Sequence, residues 1–142
     1  MKNRGRFALL LIAALVLALL PACGHQQELV GITIQPSTEV FGSTTTSLSQ
    51  DAQATPIPLI AYGTFIHPPV TKDITNQVVW TSNTTDVATV TSTGLLQPAG
   101  IACGNALISA TVTTNSSDGG IHSSGALVTG TMTATVVCPT GP

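Results

Sequence analysis

The stretch TNQVVWTSNTTDVATVTSTGLL, residues 75–96, holds the only tryptophan of the chain and decides its fold class. Its first half alternates, so that Val78 and Trp80 lie on one face of an extended segment while Val79 and Thr81 lie on the other. Valine and threonine favour strands because their branched side chains lose χ1 freedom in a helix and pack well on a pleated sheet. The stretch therefore predicts strands and not a helix.

The second half of the stretch predicts a further strand, a turn and a short strand. Ala88 and Val90 share one face of DVATVTS. Gly94 can turn the chain because glycine adopts a positive φ at no steric cost. The short LLQP strand follows the turn.

Alternating segments continue on both sides of this centre. Upstream, LVGITIQP predicts a strand with Val30, Ile32 and Ile34 on one face and Pro36 at its end, and IPLIAYGTFI predicts another strand. Downstream, NALISATVTTN and GALVTGTMTATVVC predict two long strands. The residues predicted to share their inner faces are Ala106, Ile108, Ala110 and Val112 in the first, and Val128, Met132, Ala134 and Val136 in the second.

Two segments are predicted to be irregular. Residues 37–56 are polar and small, which favours a long connection with a short edge strand at Glu39–Phe41. The segment HPPVTKDITN is predicted to be a loop, because Pro68 and Pro69 cannot donate hydrogen bonds to a ladder.

About seven short strands separated by turns, with no helix after residue 22, predict an all-β fold, an antiparallel immunoglobulin-like β-sandwich. We expect the sandwich to span residues 29–138 and to be followed by a tail, 139–142.

The lone tryptophan has two interpretations. It could be a surface platform on which a sugar or base stacks, or it could fill the space of about 10 Å between two packed sheets. Its apolar neighbours and the scarcity of aromatic residues, 4% of the chain, favour the second interpretation. The predicted core therefore includes Val78, Trp80, Val90 and Ile108.

The N-terminal segment MKNRGRFALLLIAALVLALLPAC predicts a cleaved signal helix over residues 1–22. Basic residues end at Arg6, and an apolar run from Phe7 to Leu20 follows. This run is too short for a transmembrane helix, which needs about 20 residues, and it is typical of a secretory signal.

Leu20-Pro21-Ala22-Cys23 resembles the lipobox of bacterial lipoproteins. The resemblance implies cleavage before Cys23 and acylation of its thiol, for example with palmitate. We then expect residues 23–28 to be an acylated cysteine with a short tether. The expected location is the bacterial cell envelope, with the lipid anchor in the outer membrane and the domain on its periplasmic or surface-exposed side. The alternative is an ordinary secreted protein with a spare cysteine.

The remaining two cysteines, Cys103 and Cys138, form an even pair in an oxidising compartment and predict a disulfide. Pairing Ile108 with Met132 or Ala134 places the two cysteines one residue out of register, which a bulge at Gly104 could absorb.

Several classes of function are disfavoured. One basic residue after residue 22, against six acidic ones, argues against nucleic-acid binding. No common catalytic motif is present, and His122-Ser123-Ser124 beside Asp118 do not come from separate elements as a catalytic triad requires. His25, His67 and His122 show no metal-ligand spacing, so no catalytic residue, metal or cofactor is predicted.

The segments ITIQPSTEVFG, LIAYGTF and KDITNQVVWTSNTTDVATVTSTGLLQPAGIACGNALISATV together resemble the bacterial immunoglobulin-like domain of group 2, the type found in intimin and invasin. The resemblance runs from about Leu29 to Val137 and is densest from Asp73 to Val112. It implies an Ig-like sandwich with a role in surface adhesion or spacing, and it implies no catalysis. Cys103 stands where the family has a small residue, so the disulfide is a feature of this chain.

These observations predict a membrane-anchored envelope lipoprotein with a non-catalytic structural, adhesive or protein-interaction domain. The expected partners are the lipid bilayer, through acylated Cys23, and a protein or glycan ligand at the cell surface. Two alternatives remain. A carbohydrate-binding module would be favoured by a shallow groove with exposed Tyr62 or Phe65. An accessory subunit of an envelope enzyme or secretion system would be favoured by a pocket of converging titratable groups.

Overall fold

The computed structural model describes residues 27–112 and 127–140. Within them the chain forms ten strands and one short helix. The elements are β1 (Glu28–Gln35), β2 (Thr38–Phe41), α1 (Leu48–Asp51), β3 (Ile57–Pro58), β4 (Ile60–Ile66), β5 (Val70–Asp73), β6 (Val79–Ser82), β7 (Ala88–Val90), β8 (Leu95–Pro98), β9 (Gly104–Val112) and β10 (Val128–Val136). The prediction of an all-β, Ig-like sandwich is confirmed, although the strands are shorter and more numerous than the seven expected.

The strands form three small sheets. Their orders are β1-β4-β5, β2-β10-β9-β6 and β3-β8-β7. One edge departs from the predicted antiparallel pattern, because β2 pairs in parallel with β10. After β1 the chain crosses to the other sheet and continues beside β10, so its first two strands contribute to two sheets.

The core lies between the inner faces of these sheets. Along β9 and β10 every second side chain is buried or partly buried, in register, with Ile108 opposite Met132 and Ala106 opposite Ala134. Ile108 and Val78 are buried, and Val90 is half-buried against the same cluster. The strict period of two in these strands places one whole set of side chains inside.

The first strand departs from simple alternation. Its pairing with β4 shifts between Leu29 and Gly31, which marks an irregularity of the bulge type. As a result Leu29 is buried while Val30 is 50% exposed, and Ile34 returns to the core. The prediction that Val30 shares the inner face is wrong because one extra residue reverses the direction of the side chains.

The two segments predicted to be irregular contain structure. Residues 37–56 hold β2, which confirms the short edge strand predicted at Glu39–Phe41. They also hold α1, which begins after Ser47 with a capping box between Ser47 and Gln50. The expectation of no helix is therefore wrong. Residues 67–76 contain β5, because both prolines lie in the turn before Val70 and the strand itself needs no N–H from them.

Trp80 lies in the core and is 8% exposed. Its indole Nε1 donates a hydrogen bond to the carbonyl of Thr75 at 3.1 Å, so its one polar atom is satisfied. The ring covers Gly94, the residue before β8, whose φ is +81°. A Cβ at Gly94 would lie 3.2 Å from the ring and 2.9 Å from the carbonyl oxygen of Leu59. The tryptophan of β6 thus packs directly on the turn between β7 and β8.

We predict that Trp80→Ala lowers the free energy of unfolding by about 3–5 kcal/mol, because it removes the largest side chain from between the sheets. Val79→Ala is the matched control: Val79 precedes Trp80 on the outer face and is mostly exposed. Val79→Ala should change the free energy of unfolding by no more than about 0.5 kcal/mol. Urea denaturation followed by circular dichroism measures both. Equal effects of the two substitutions would contradict the core role of the indole.

We predict that Gly94→Ala lowers the free energy of unfolding by about 1–3 kcal/mol. Alanine is strained at a positive φ, and its methyl group would meet the Leu59 carbonyl and the indole. Gly31→Ala is the control, because nothing lies within 4 Å of the point that its added methyl group would occupy and its φ is not positive. Thermal melts should separate the two variants; a Gly94→Ala chain as stable as Gly31→Ala would refute the requirement for glycine.

Candidate functional site

A shallow groove lies on the outer face of the β1-β4-β5 sheet. Its volume is about 440 Å³. The residues that line it are Thr33, Gln35, Tyr62, Thr64 and Thr71. None of these five residues is Asp, Glu, Lys, Arg or His, and each carries a hydrogen-bonding group.

The register of the sheet explains why these residues meet. Tyr62 of the central strand lies opposite Thr33 of β1 on one side and Asp73 of β5 on the other. Thr64 lies opposite Thr71, one step further along the same face. Outward positions alternate with buried ones along β4, so Tyr62 is half-buried and Thr64 exposed while Ala61 is buried.

Phe65 does not belong to this groove. It points to the opposite side of β4, is 5% exposed, and is part of the core. The ammonium group of Lys72 lies 5.3 Å from the centre of the Phe65 ring and also donates a hydrogen bond to Gln27. Of the two aromatic residues that would favour a carbohydrate-binding module, Tyr62 alone lies in the groove.

The polar groups of the groove are not engaged by the protein. Within residues 27–112 and 127–140, the side chains of the five lining residues form no hydrogen bond with one another or with a neighbour. Their hydroxyl and amide groups are therefore open to solvent or to a ligand. The sequence alone does not identify Thr33, Gln35, Thr64 or Thr71 as site residues. Their only sequence signal is alternation with buried residues, and the β1–β4–β5 register is needed to bring them together.

Asp73, beside Tyr62, is held in place by Thr75. The Thr75 hydroxyl donates to Asp73 Oδ1 at 2.6 Å and the Thr75 N–H donates at 2.9 Å. These two bonds hold the pKa of the Asp73 carboxyl below its usual range, and the bond from the hydroxyl has the larger effect. The same hydroxyl accepts a bond from the N–H of Ala61, and the Thr75 carbonyl accepts the Trp80 bond. The edge of the groove is thereby connected to the core.

The outer face of the four-stranded sheet has a different character. Its residues are hydroxyl-bearing or apolar, with one amide and without charge: Thr38, Val40, Val79, Thr81, Asn105, Leu107, Ser109, Thr111, Thr129, Thr131, Thr133 and Thr135. Several of these polar groups bond to each other. The Thr111 and Thr129 hydroxyls lie 3.2 Å apart, and the Thr135 hydroxyl donates to Asn105 at 2.8 Å. No aromatic ring stands among these positions.

A disulfide joins Cys103 to Cys138, with 5.0 Å between their Cα atoms. The β9–β10 register runs unbroken to the pair Gly104 and Val136, so the cysteines lie just beyond the ladder and one residue out of register. Gly104 has a φ of +126°. The chain therefore bends at Gly104, where the ladder ends, and a bulge within the ladder is not needed.

Asp51 is the buried charged residue of the described chain, at 5% exposure. Its carboxylate lies against Gly42, where a Cβ would collide with Oδ2. This oxygen has no hydrogen-bond partner among the described residues. The described residues also hold no group of three or more His, Cys, Asp or Glu side chains that could bind a metal ion.

Several predicted features lie outside the described residues: the signal segment 1–22, the lipidation site Cys23, His25, and the segment with Asp118 and His122. Within the part of the chain that the structure describes, no helix has the length and apolar character needed to cross a membrane.

The family described as bacterial Ig-like domain (group 2) has a model that matches residues 66–120. The match extends from the end of β4 through β9, so it contains Trp80, Gly94 and Cys103. No curated protein shows significant sequence similarity to the chain.

We predict that loss of the Cys103–Cys138 bridge lowers the free energy of unfolding by about 3–4 kcal/mol, the chain-entropy value for a loop of 35 residues. Thermal melts of the oxidised chain with and without reductant measure this effect. A chain carrying both Cys103→Ala and Cys138→Ala is the control, and its melting temperature should be low and insensitive to reductant. A melt of the wild-type chain that reductant leaves unchanged would contradict the stabilising role.

Proposed function

We propose that the protein is a lipid-anchored component of the bacterial cell envelope, and the match of residues 66–120 to the bacterial Ig-like domain family of group 2 supports this proposal. In this proposal the Ig-like domain is non-catalytic and acts in adhesion, spacing or interaction at the cell surface. The observation that carries the proposal is the combination of a sandwich domain of this family with a lipobox-like sequence that ends at Cys23.

The proposed anchor is the acylated thiol of Cys23. Each methylene group buried in the bilayer contributes about 0.8 kcal/mol, so that a single acyl chain binds marginally whereas two or more hold a protein firmly. Diacylation of Cys23 therefore suffices to retain a small domain on the membrane. The domain needs no transmembrane helix for this purpose.

The short tether supports a defined orientation of the domain. Strand β1 begins at Glu28, five residues after Cys23, and five residues reach at most about 18 Å. Glu28 pairs with Ile66, next to the turn between β4 and β5. In the proposed arrangement this end of the sandwich faces the membrane, and the chain runs away from it along β1.

The non-catalytic role is supported by the family and by the character of the site. The groove on the β1-β4-β5 sheet is lined by hydroxyl, phenol and amide groups, which bind ligands but offer no nucleophile paired with a base. Such a surface suits recognition of a ligand outside the cell or in the periplasm.

We predict that growth with a labelled fatty acid marks the wild-type protein and that the label follows it into the membrane fraction. The Cys23→Ser chain should carry no label and should leave the membrane fraction. Cys103→Ser is the matched control, since it removes a cysteine without removing the proposed acylation site. Label in the Cys23→Ser chain, or its absence from the wild type, would refute the anchor.

A further inference from the structure

We propose that the groove lined by Thr33, Gln35, Tyr62, Thr64 and Thr71 binds a neutral sugar unit of a glycan chain. This proposal names the ligand class of the adhesive function proposed above and rests on it. The contact with the sugar itself requires no lipid anchor, so the two can be tested separately.

The chemistry of the groove fits a pyranose ring. A sugar presents an apolar face of C–H groups surrounded by hydroxyls, and a phenol ring offers the matching apolar surface with a polar tip. The Tyr62 ring is half-buried in the floor, and Thr33, Gln35, Thr64 and Thr71 surround it with donors and acceptors. None of these polar side chains forms a hydrogen bond with another described residue, so a ligand need not displace an internal bond.

The charges around the groove favour a neutral ligand over an anionic one. No cationic side chain lines it. Lys72, the only basic residue after residue 22, has its ammonium group at the Phe65 ring and at Gln27. Asp73 lies opposite Tyr62 and carries a negative charge at neutral pH, as an aspartate with an ordinary pKa already does, and the Thr75 hydrogen bonds lower the pKa of this carboxyl further. A uronic or sialic acid would meet this negative charge without a compensating cation.

The floor of the groove is held rigidly. Tyr62 is on the central strand of its sheet, with β1 and β5 paired on either side. The residues flanking it, Ala61 and Gly63, are buried, and a Cβ at Gly63 would be 2.9 Å from both Ile74 and Leu29. A site built on a packed sheet loses little conformational entropy when the ligand binds.

The position of the groove also suits a ligand that comes from outside. Thr33 is five residues beyond the start of β1, which is about 17 Å along an extended strand. In the proposed orientation the groove therefore lies away from the membrane end of the domain. Many anchored copies on one membrane would bind a polymeric glycan together, which compensates for weak individual contacts.

The uncharged face of the four-stranded sheet is less suitable for the same ligand. It carries many hydroxyl groups, but pairs such as Thr111 with Thr129 and Thr135 with Asn105 bond to each other. It offers no aromatic ring for the apolar side of a sugar. The two faces of the sandwich thus provide an internal comparison, with Val79 as a control position on the second face.

The test is saturation-transfer NMR on the full-length chain in phosphocholine micelles, because detergents with sugar head groups would compete. The probes are the methyl glycosides of glucose, galactose, mannose and N-acetylglucosamine, with methyl glucuronide as the anionic comparison. We expect transfer to at least one neutral glycoside, with a dissociation constant on the order of millimolar and at least tenfold weaker binding of the glucuronide.

Four substitutions, one of them a control on the other face, locate the binding site. Tyr62→Ala should weaken binding at least tenfold, Tyr62→Phe should retain most of it because the ring remains, and Val79→Ala should leave it unchanged. Thr64→Val, on an exposed lining residue, should weaken binding several-fold and serves as a second variant if Tyr62→Ala does not fold, which the emission of buried Trp80 would reveal.

Several results would overturn the proposal. The first is the absence of saturation transfer to every neutral glycoside. The second is equal transfer in the wild type and in both the Tyr62→Ala and the Thr64→Val chains. The third is preferential binding of the glucuronide. Binding of a protein or peptide at the groove with no sugar binding would overturn it as well. A Cys23→Ser chain that stays in the membrane fraction but still binds the glycoside would refute the anchor and leave the sugar site intact. A Cys23→Ser chain that leaves the membrane fraction, together with a wild type that binds no glycoside, would refute the sugar site and leave the anchor intact.

Discussion

The contact between Trp80 and Gly94 is the constraint on which the arrangement of the sheets depends. Trp80 belongs to β6 of the four-stranded sheet, whereas Gly94 lies in the turn between β7 and β8 of another sheet. The indole N–H reaches the carbonyl of Thr75, and Thr75 in turn accepts a bond from Ala61 in the first sheet. Trp80 therefore contacts the turn of the third sheet directly and is linked to the first sheet through Thr75. With only 4% aromatic residues, the chain has few other side chains large enough to fill this space.

The sequence predicts most reliably what strict alternation determines. The inner faces of β9 and β10 follow from a period of two that nothing interrupts, and their register places Ile108 opposite Met132. Trp80 could be assigned to the core because its neighbours are apolar and no second aromatic residue accompanies it. The Ig-like sandwich follows from the same pattern and from the family resemblance, and the fold confirms it.

The remaining features depend on contacts between distant residues, which local patterns do not encode. The irregularity after Leu29 exposes Val30 although both residues are equally apolar. The sequence predicts the short strand β2, but it does not predict the parallel pairing of β2 with β10, more than 90 residues away along the chain. The groove is a similar case: Thr33, Tyr62 and Thr71 are ordinary outward residues until the β1–β4–β5 register brings them together. Register is a tertiary property, so a site that spans three strands cannot be identified from any one of them.

The path of the first two strands determines where the disulfide and the groove lie in the sandwich. The chain from β1 into β2 runs beside β10 in the same direction, as shown by the approach of Gly130 to the Ile32 carbonyl and by the bond from the Thr133 N–H to the Ser37 carbonyl. Both β2 and β10 then end close together, where the Val137 N–H bonds to the Phe41 carbonyl. The Cys103–Cys138 bridge therefore closes the end of the sandwich that is far from Glu28. Because β1 leads from Glu28 across the β1-β4-β5 sheet before β2 reaches this bridge, the groove lies between the two ends of the sandwich.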